Sequence, residues 1–235
     1  MGAKPPNVYP YWYPFAQKNE IEKIIKEPLE ASIVHPSTVP YSSLVVMVLK
    51  KNGEWCICPN FRAMNKLTIK DKFPIPIVDY MLDELYGTKF FTKLYLYLSY
   101  HQIWMKEVDI PKTTFQIHEG HYEFLVMPFG LCNAPSTFQS LMTHLLRPYL
   151  RKFIMVFFDD IIIYNITWDK HLQHVDQILQ LLQDHKLFVK LSKRSFGMEE
   201  VEYLGHIVGC DEVRVDPKKI QAMQDWPQPK TLKHL

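Results

Sequence analysis

"VFFDDIIIY", residues 156–164, sets two adjacent carboxylates, Asp159 and Asp160, between two of the most apolar short runs in the chain. Like unit charges about 4 Å apart repel by roughly 4 kcal/mol at an effective dielectric near ~20. Placed on a hairpin, Phe153 to Phe158 ascend, Ile161 to Tyr164 descend, and the aspartates form the tip. A turn chosen for geometry alone would carry Asn-Gly or Asp-Gly. Asp-Asp is poorer on backbone and charge grounds. The bland account is a solvated turn screened by water. The apolar flanks point instead to a buried hairpin whose charge a hard divalent cation with oxygen ligands would balance.

Outward from the hairpin, periodicity predicts the neighbouring elements. "NAPSTFQSLMTHLLRPYL" is a helix with Asn133 as cap, Pro135 in the first turn and a stripe of Phe138, Leu141, Met142, Leu145, Leu146 and Tyr149. A second helix runs from Thr167 to about His185, with Leu172, Val175, Leu179 and Leu182 inward and His171 and His174 on a solvated face. "PIPIVDYMLDELYG" holds a short helix with Val78, Met81, Leu82, Leu85 and Tyr86 on one side and Gly87 as C-terminal cap. In "NEIEKIIKEPLEA" Asn19 and Glu22 suit a capping box, and Pro28 should kink or shorten the helix. "SLVVMVL" and "WCICPNF" flank Asn52-Gly53 as a hairpin, "TTFQIHEGHYEFLVM" turns at Glu119-Gly120, and "SFGMEEVEYLGHIVG" reads as a further hairpin. "KFFTKLYLYLSYHQI" is a strand that breaks near Ser99. Tight turns imply antiparallel pairing, so the class is α+β.

The 235 residues, 47% hydrophobic, allow one or two domains with a sizeable core and exclude wholesale disorder. A net charge of +2 does not announce a nucleic-acid binder, so any such surface must come from local clusters. Four cysteines make no disulfide framework, and Cys56 and Cys58 read as small buried hydrophobes rather than a metal site. No signal peptide or transmembrane run is evident, which implies a soluble, intracellular protein of cytoplasm or nucleus. The tail, with Thr231 as a helix cap, reads as the opening of a larger architecture.

"KKNGEW…NFRAMNK", "MPFGLCNAPSTFQ", "FFDD" and "YLGHIV" occur in the order of fingers, palm and thumb elements. With "TIKDKFPIP", "DIPKTTFQIHEGHYEFLVMPFGL" and "RVDPKKI", the chain resembles the reverse transcriptase domain of gypsy-type LTR retrotransposon Pol polyproteins from about Tyr11 to Leu235. The resemblance implies a right-hand polymerase fold with an antiparallel palm sheet. It implies an N-terminal arm and helix over 1–40, fingers and palm over 41–208, and the start of a truncated thumb or connection over 209–235. It further implies RNA-directed DNA polymerase activity on an RNA or DNA template-primer with dNTP, using magnesium or manganese in two-metal chemistry. Oligomeric state and template preference stay open.

Carried over position by position, Asp159 and Asp160 match the catalytic, metal-binding pair, and Tyr100 the aromatic under the incoming sugar. Lys51 and Phe129 belong with the nucleotide, as does position 56; Arg62 and Asn65 lie beside the template, and Leu204, Gly205 and His206 in the primer-gripping turn. The third carboxylate belongs five residues before Tyr100, where Tyr95 stands, and no acid occurs between Glu84 and Glu107. Cys56 follows Trp55 where the pattern has arginine, Asn60 stands for an acid, Pro59 enters a strand position, and Ser99 replaces a glycine. These departures predict an impaired or inactive polymerase with weakened or lost metal binding. An alternative is a remnant that only binds nucleic acid through Lys50, Lys51, Arg62, Arg147, Arg151, Lys152 and "KLSKR" at 190–194. An unrelated metal-dependent hydrolase has no support beyond the aspartate pair.

Overall fold

The computed structural model describes residues 13–50, 53–190 and 194–226. Lys51, Asn52, the middle of "KLSKR" and Thr231 lie outside the described residues. The chain divides into two compact units. One takes residues through Pro74 and then Leu98–Ser140; the other takes Ile75–Tyr97 and everything from Leu141.

The first unit is built on a five-stranded sheet in the order β1-β6-β5-β2-β3. Its strands are β1 (Val34–Pro36), β2 (Ser43–Leu49), β3 (Trp55–Asn60), β5 (Phe115–Ile117) and β6 (Gly120–Phe124). The β2–β3 hairpin pairs Leu49 with Trp55, and Gly53 takes φ +84 in its turn. Pro59 is tolerated because β3 is an edge strand. The β5–β6 turn is His118–Glu119, with Gly120 already paired to Ile117, one residue earlier than the sequence suggests. One ladder departs from antiparallel pairing, since β2 runs parallel to β5 at Ser43 and Leu44. Helix α1 (Phe15–Glu30) buries Ile21 and Ile25 against this core. It begins a turn before Asn19, behind Pro14 and with no side-chain cap, so the capping box does not form. Glu22 instead meets His118 Nε2 at 2.9 Å. Pro28 sits in the last turn, where the helix ends two residues on. Helix α2 (Arg62–Leu67) follows β3.

The second unit carries a four-stranded antiparallel sheet, β7-β8-β4-β9, formed by β4 (Phe90–Tyr95), β7 (Ile154–Phe157), β8 (Asp160–Asn165) and β9 (Ser195–Met198). A three-stranded sheet, β10 (Val201–Tyr203), β11 (His206–Val208) and β12 (Val213–Val215), precedes α6 (Pro217–Gln224). The expected last hairpin is therefore divided: its first strand joins β4, and its remainder forms a separate ladder. Phe91, Ile162, Tyr164, Val201, Tyr203 and Val208 pack with Met81, Leu82 and Leu85 of α3 (Val78–Leu85). Tyr86, expected on the inward face, is 67% exposed because the helix ends before it. In α4 (Ala134–Leu146) Phe138, Met142 and Leu146 are buried and Leu141 is not. Asn133 immediately precedes that helix, its carbonyl accepting from Thr137 N, while its side chain donates to Ile69 O and accepts from Asp71 N. No described helix is long and apolar enough to cross a membrane.

Helix α5 (Trp168–Asp184) buries His171, Val175, Ile178 and Leu182. Its inward face is thus rotated from the expected one, and Leu172 is exposed. The reason is polar. His171, 1% exposed, meets Thr92 Oγ1 at 2.7 Å through Nε2 and Asn165 Nδ2 at 3.1 Å through Nδ1, while Asn165 Oδ1 meets His174 Nδ1 at 2.6 Å. The expected solvated face is a hydrogen-bonded network in which His171 is buried and His174 half-buried. Burial first, then His174, lowers the His171 pKa; burial and then Lys170 lower that of His174. A lowered folded pKa means that the unfolded chain binds more protons below about pH 6.5. Stability is accordingly full above that pH and falls as the pH drops beneath it. Urea midpoints measured across this range should show the loss. His171→Gln should flatten the slope in part, the rest belonging to His174 and to the half-buried His101, whose pKa burial lowers likewise. A pH-independent midpoint would contradict this account.

Candidate active site

In the second unit, β7 and β8 pair through Phe157 and Asp160, so the two-residue turn is Phe158–Asp159. Only Asp159 is at the tip; Asp160 is the first residue of β8. This corrects the symmetric tip expected from sequence, and the cause is register. Phe158 takes φ +52, a left-handed conformation costing a non-glycine residue roughly 1–2 kcal/mol. Such strain persists where surrounding structure over-determines the backbone, here the buried flanks Val156 and Ile161–Ile163. Asp159 is exposed and Asp160 partly buried.

On the other side of β8, Tyr95 of β4 is the direct antiparallel partner of Asp160. Opposed residues share a sheet face, and alternation puts Lys93 on that face too. Lys93 is 8% exposed; its Nζ lies 3.5 Å from Asp160 Oδ2 and donates to Glu202 O at 2.9 Å. The ammonium also sits 4.7 Å from the Tyr95 ring centroid and 5.6 Å from that of Tyr203. Tyr203 Oη is buried without a hydrogen-bond partner among the described residues. Burial, then the charge of Asp160 and the nearby Tyr95, hold its pKa far above the usual phenol range. Sequence reading missed Lys93 and Tyr203. The signal for Lys93 was available: a charge in an apolar strand, two residues before position 95.

This donor set can be compared with the two-ion centre that the sequence resemblance implies. Hard divalent ions take carboxylate, carbonyl and water oxygens. Strand β4 offers a neutral phenol opposite Asp160, and an ammonium already faces that carboxylate. Among the described residues, the one group of three or more His, Cys, Asp or Glu close enough to hold an ion is Glu22, His118 and Glu119, exposed in the first unit. The side chains around Asp159 and Asp160 do not fit a two-ion centre.

The first unit gathers other candidate residues. Tyr100 follows Ser99 in a 3-10 helix, Ser99–Gln102, and its ring lies 4.8 Å from that of Phe129, which is half exposed. Phe138 supports Tyr100 at 5.5 Å. Asn65 on α2 donates to Gly130 O at 2.8 Å and accepts from Cys132 N at 2.9 Å, pinning the loop after Phe129. Arg62, the first residue of α2, is exposed. Lys50 Nζ lies 3.7 Å from Glu54 Oε2. Cys56 and Cys58 are not buried: Cys58 is exposed, Cys56 intermediate, and their sulfurs are 3.9 Å apart on one face of β3. That face of the hairpin is open, since Val48 and Val46, their partners on β2, are exposed as well. In the second unit Leu204 and Gly205, at φ +48 and +79, form the tight turn joining Tyr203 to His206. A Cβ on Gly205 would overlap the Lys219 side chain.

Comparison with known proteins agrees with this architecture. The family model for reverse transcriptase (RNA-dependent DNA polymerase) matches residues 48–208. The chain is 41% identical over 230 residues to the retrovirus-related Pol polyprotein from transposon opus of Drosophila melanogaster, covering 96% of this chain and 23% of that protein. It is 39% identical over 217 residues to the Pol polyprotein from transposon gypsy of the same species, covering 90% of this chain and 21% of that one. The chain thus spans less than a quarter of the length of these relatives. Among solved structures, the foamy viral protease-reverse transcriptase in complex with an RNA/DNA hybrid superposes with TM-score 0.88 at 21% identity, over 99% of this chain and 31% of the other. A form of that protein in complex with double-stranded DNA gives TM-score 0.90 at 21% identity, over 99% and 41%. The chain therefore has the fingers-and-palm polymerase fold and belongs to the reverse transcriptase family, with Pol polyproteins of gypsy-type LTR retrotransposons among its relatives.

Proposed function

We propose that this chain is the RNA-directed DNA polymerase domain of a retrotransposon Pol polyprotein and that its nucleotidyl transfer is impaired at residue 95. The observation that carries the reading is the direct pairing of Tyr95 with Asp160. The backbone register that would bring a carboxylate to Asp160 is intact, and the side chain there is a phenol. Magnesium or manganese binding at Asp159 and Asp160 is weakened or lost on this reading. Fingers and palm occupy 41–208, behind an arm and helix over 1–40, and 209–235 begin the thumb or connection. Tyr100, Phe129, Cys56 and Lys51 belong to the nucleotide side, Arg62 and Asn65 to the template, and Leu204, Gly205 and His206 to the primer. The complexes formed by the foamy viral proteins support an RNA/DNA or DNA duplex as partner. The domain acts inside the cell, in cytoplasm or nucleus.

Primer extension on the purified chain, with magnesium or manganese, tests the proposal. Product at background level is expected; clear template-dependent synthesis would overturn the impairment. A second reading, a remnant that only binds nucleic acid, is favoured by the exposed Arg62, Arg147 and Lys152. It predicts binding to a duplex that weakens steeply with salt and never proceeds to turnover.

A further inference from the structure

An ammonium taken out of water is costly unless it is paired. Lys93 is 8% exposed in the middle of β4, and its surroundings answer that requirement. Asp160 Oδ2 lies 3.5 Å away, Glu202 O accepts at 2.9 Å, and the Tyr95 and Tyr203 rings present their faces. The aspartate pair has the complementary requirement. Asp159 is exposed, so water screens it, but the Asp160 side chain is only 22% exposed. The carboxylate that most needs a counter-charge is the one the ammonium faces. An ion bound to Asp160 would sit about 2.0–2.6 Å from its oxygens, hence within a few ångströms of Nζ. The two cations would repel, and Tyr95 contributes no charge to offset the repulsion.

We propose that Lys93 is the resident counter-cation of the aspartate hairpin, balancing Asp160 from within the sheet and keeping a divalent ion off that carboxylate. The proposal deepens the impaired-polymerase reading and rests on it. It explains how a palm with an incomplete ligand set stays folded around a partly buried aspartate.

Manganese binding to the full chain, followed by the loss of the free-ion electron paramagnetic resonance signal, provides the test. Lys93→Met keeps length and apolar contact and removes the charge. Its manganese affinity should exceed that of the unmodified chain by about tenfold or more, because one repelling unit charge is gone. Manganese should raise the melting temperature of Lys93→Met and leave that of the unmodified chain unmoved. Adding Asp160→Asn should abolish both gains. Equal manganese affinity in the two proteins would overturn the proposal.

If Lys93→Met does not fold, rescue decides. Lys93→Met/Asp160→Asn should then fold, since the partly buried aspartate charge left unpaired by the first substitution is gone. A double variant that also fails to fold would overturn the pairing. The two readings fail separately. Template-dependent synthesis by the unmodified chain sinks the impairment, whereas equal manganese affinity without synthesis sinks only the counter-cation.

Discussion

Combining Tyr95→Asp with Cys56→Arg is expected to raise template-dependent primer extension about a hundredfold or more over the unmodified chain, a gain worth roughly 3 kcal/mol of barrier. The first substitution addresses the ligand set. Tyr95 and Asp160 are a registered antiparallel pair, and such residues hold their Cβ atoms about 4.5–5.5 Å apart. An aspartate at 95 would therefore bring its carboxylate to Asp160 without moving the backbone, and the bulk of the phenol would be gone. The added acid also gives Lys93 a second carboxylate partner, leaving Asp160 less committed to the ammonium. The second substitution returns a fixed, delocalised positive charge to β3, where a thiol now stands. Tyr95→Asp alone should gain manganese binding that Asp160→Asn abolishes, and Cys56→Arg alone should gain none. A folded double variant with neither manganese binding nor synthesis would show that the defect lies beyond these two positions.

Phe91→Ala should be the most damaging single substitution in the palm sheet, costing about 3–5 kcal/mol. Phe91 is fully buried on β4, the strand that pairs with both β8 and β9. Its ring lies in the cluster of Leu85, Ile162, Tyr164 and Tyr203, and truncation would leave a cavity that paired strands cannot collapse to fill. Against a total stability of about 5–15 kcal/mol, that loss is a large fraction. For a chain of this size it corresponds to a melting temperature lower by about 10 °C. Hydrogen exchange should show lost protection over β4 and β8. Ile69→Ala, at a side chain 91% exposed, should change stability by no more than about 0.5 kcal/mol. A Phe91→Ala chain that melts within a degree or two of the parent would contradict the packing account.

Much of the fold is legible in the sequence because its signals are local. The apolar runs around Asp159 and Asp160, the Asn-Gly turn flanks, and the spacing of Met81, Leu82 and Leu85 each specify an element by periodicity alone. The misreadings have a common cause, which is that distant segments outbid local preference. Asn19 looked like a cap, yet α1 starts at Phe15 and Glu22 turns to His118 on the β5–β6 turn. Leu172 looked buried, yet α5 turns His171 inward to meet Thr92 and Asn165. Cys56 and Cys58 looked like core residues, yet no distant segment covers the face they share with the exposed Val46 and Val48 among the described residues.

By itself, the sequence determined the α+β class, the main helices and hairpins, the family, and the absence of any acid along the chain between Glu84 and Glu107. Those properties reside in residue identity and spacing along the chain. Only the tertiary structure decided that Tyr95 stands directly opposite Asp160, that Asp160 belongs to a strand and Asp159 to the turn, and that the Lys93 ammonium lies 3.5 Å from Asp160. Register between β7 and β8 sets the second, and register between β4 and β8 sets the other two. That register joins segments some 65 residues apart in the chain, Tyr95 to Asp160. It is fixed by burying one face of each strand at once, an energy that no local stretch of sequence contains.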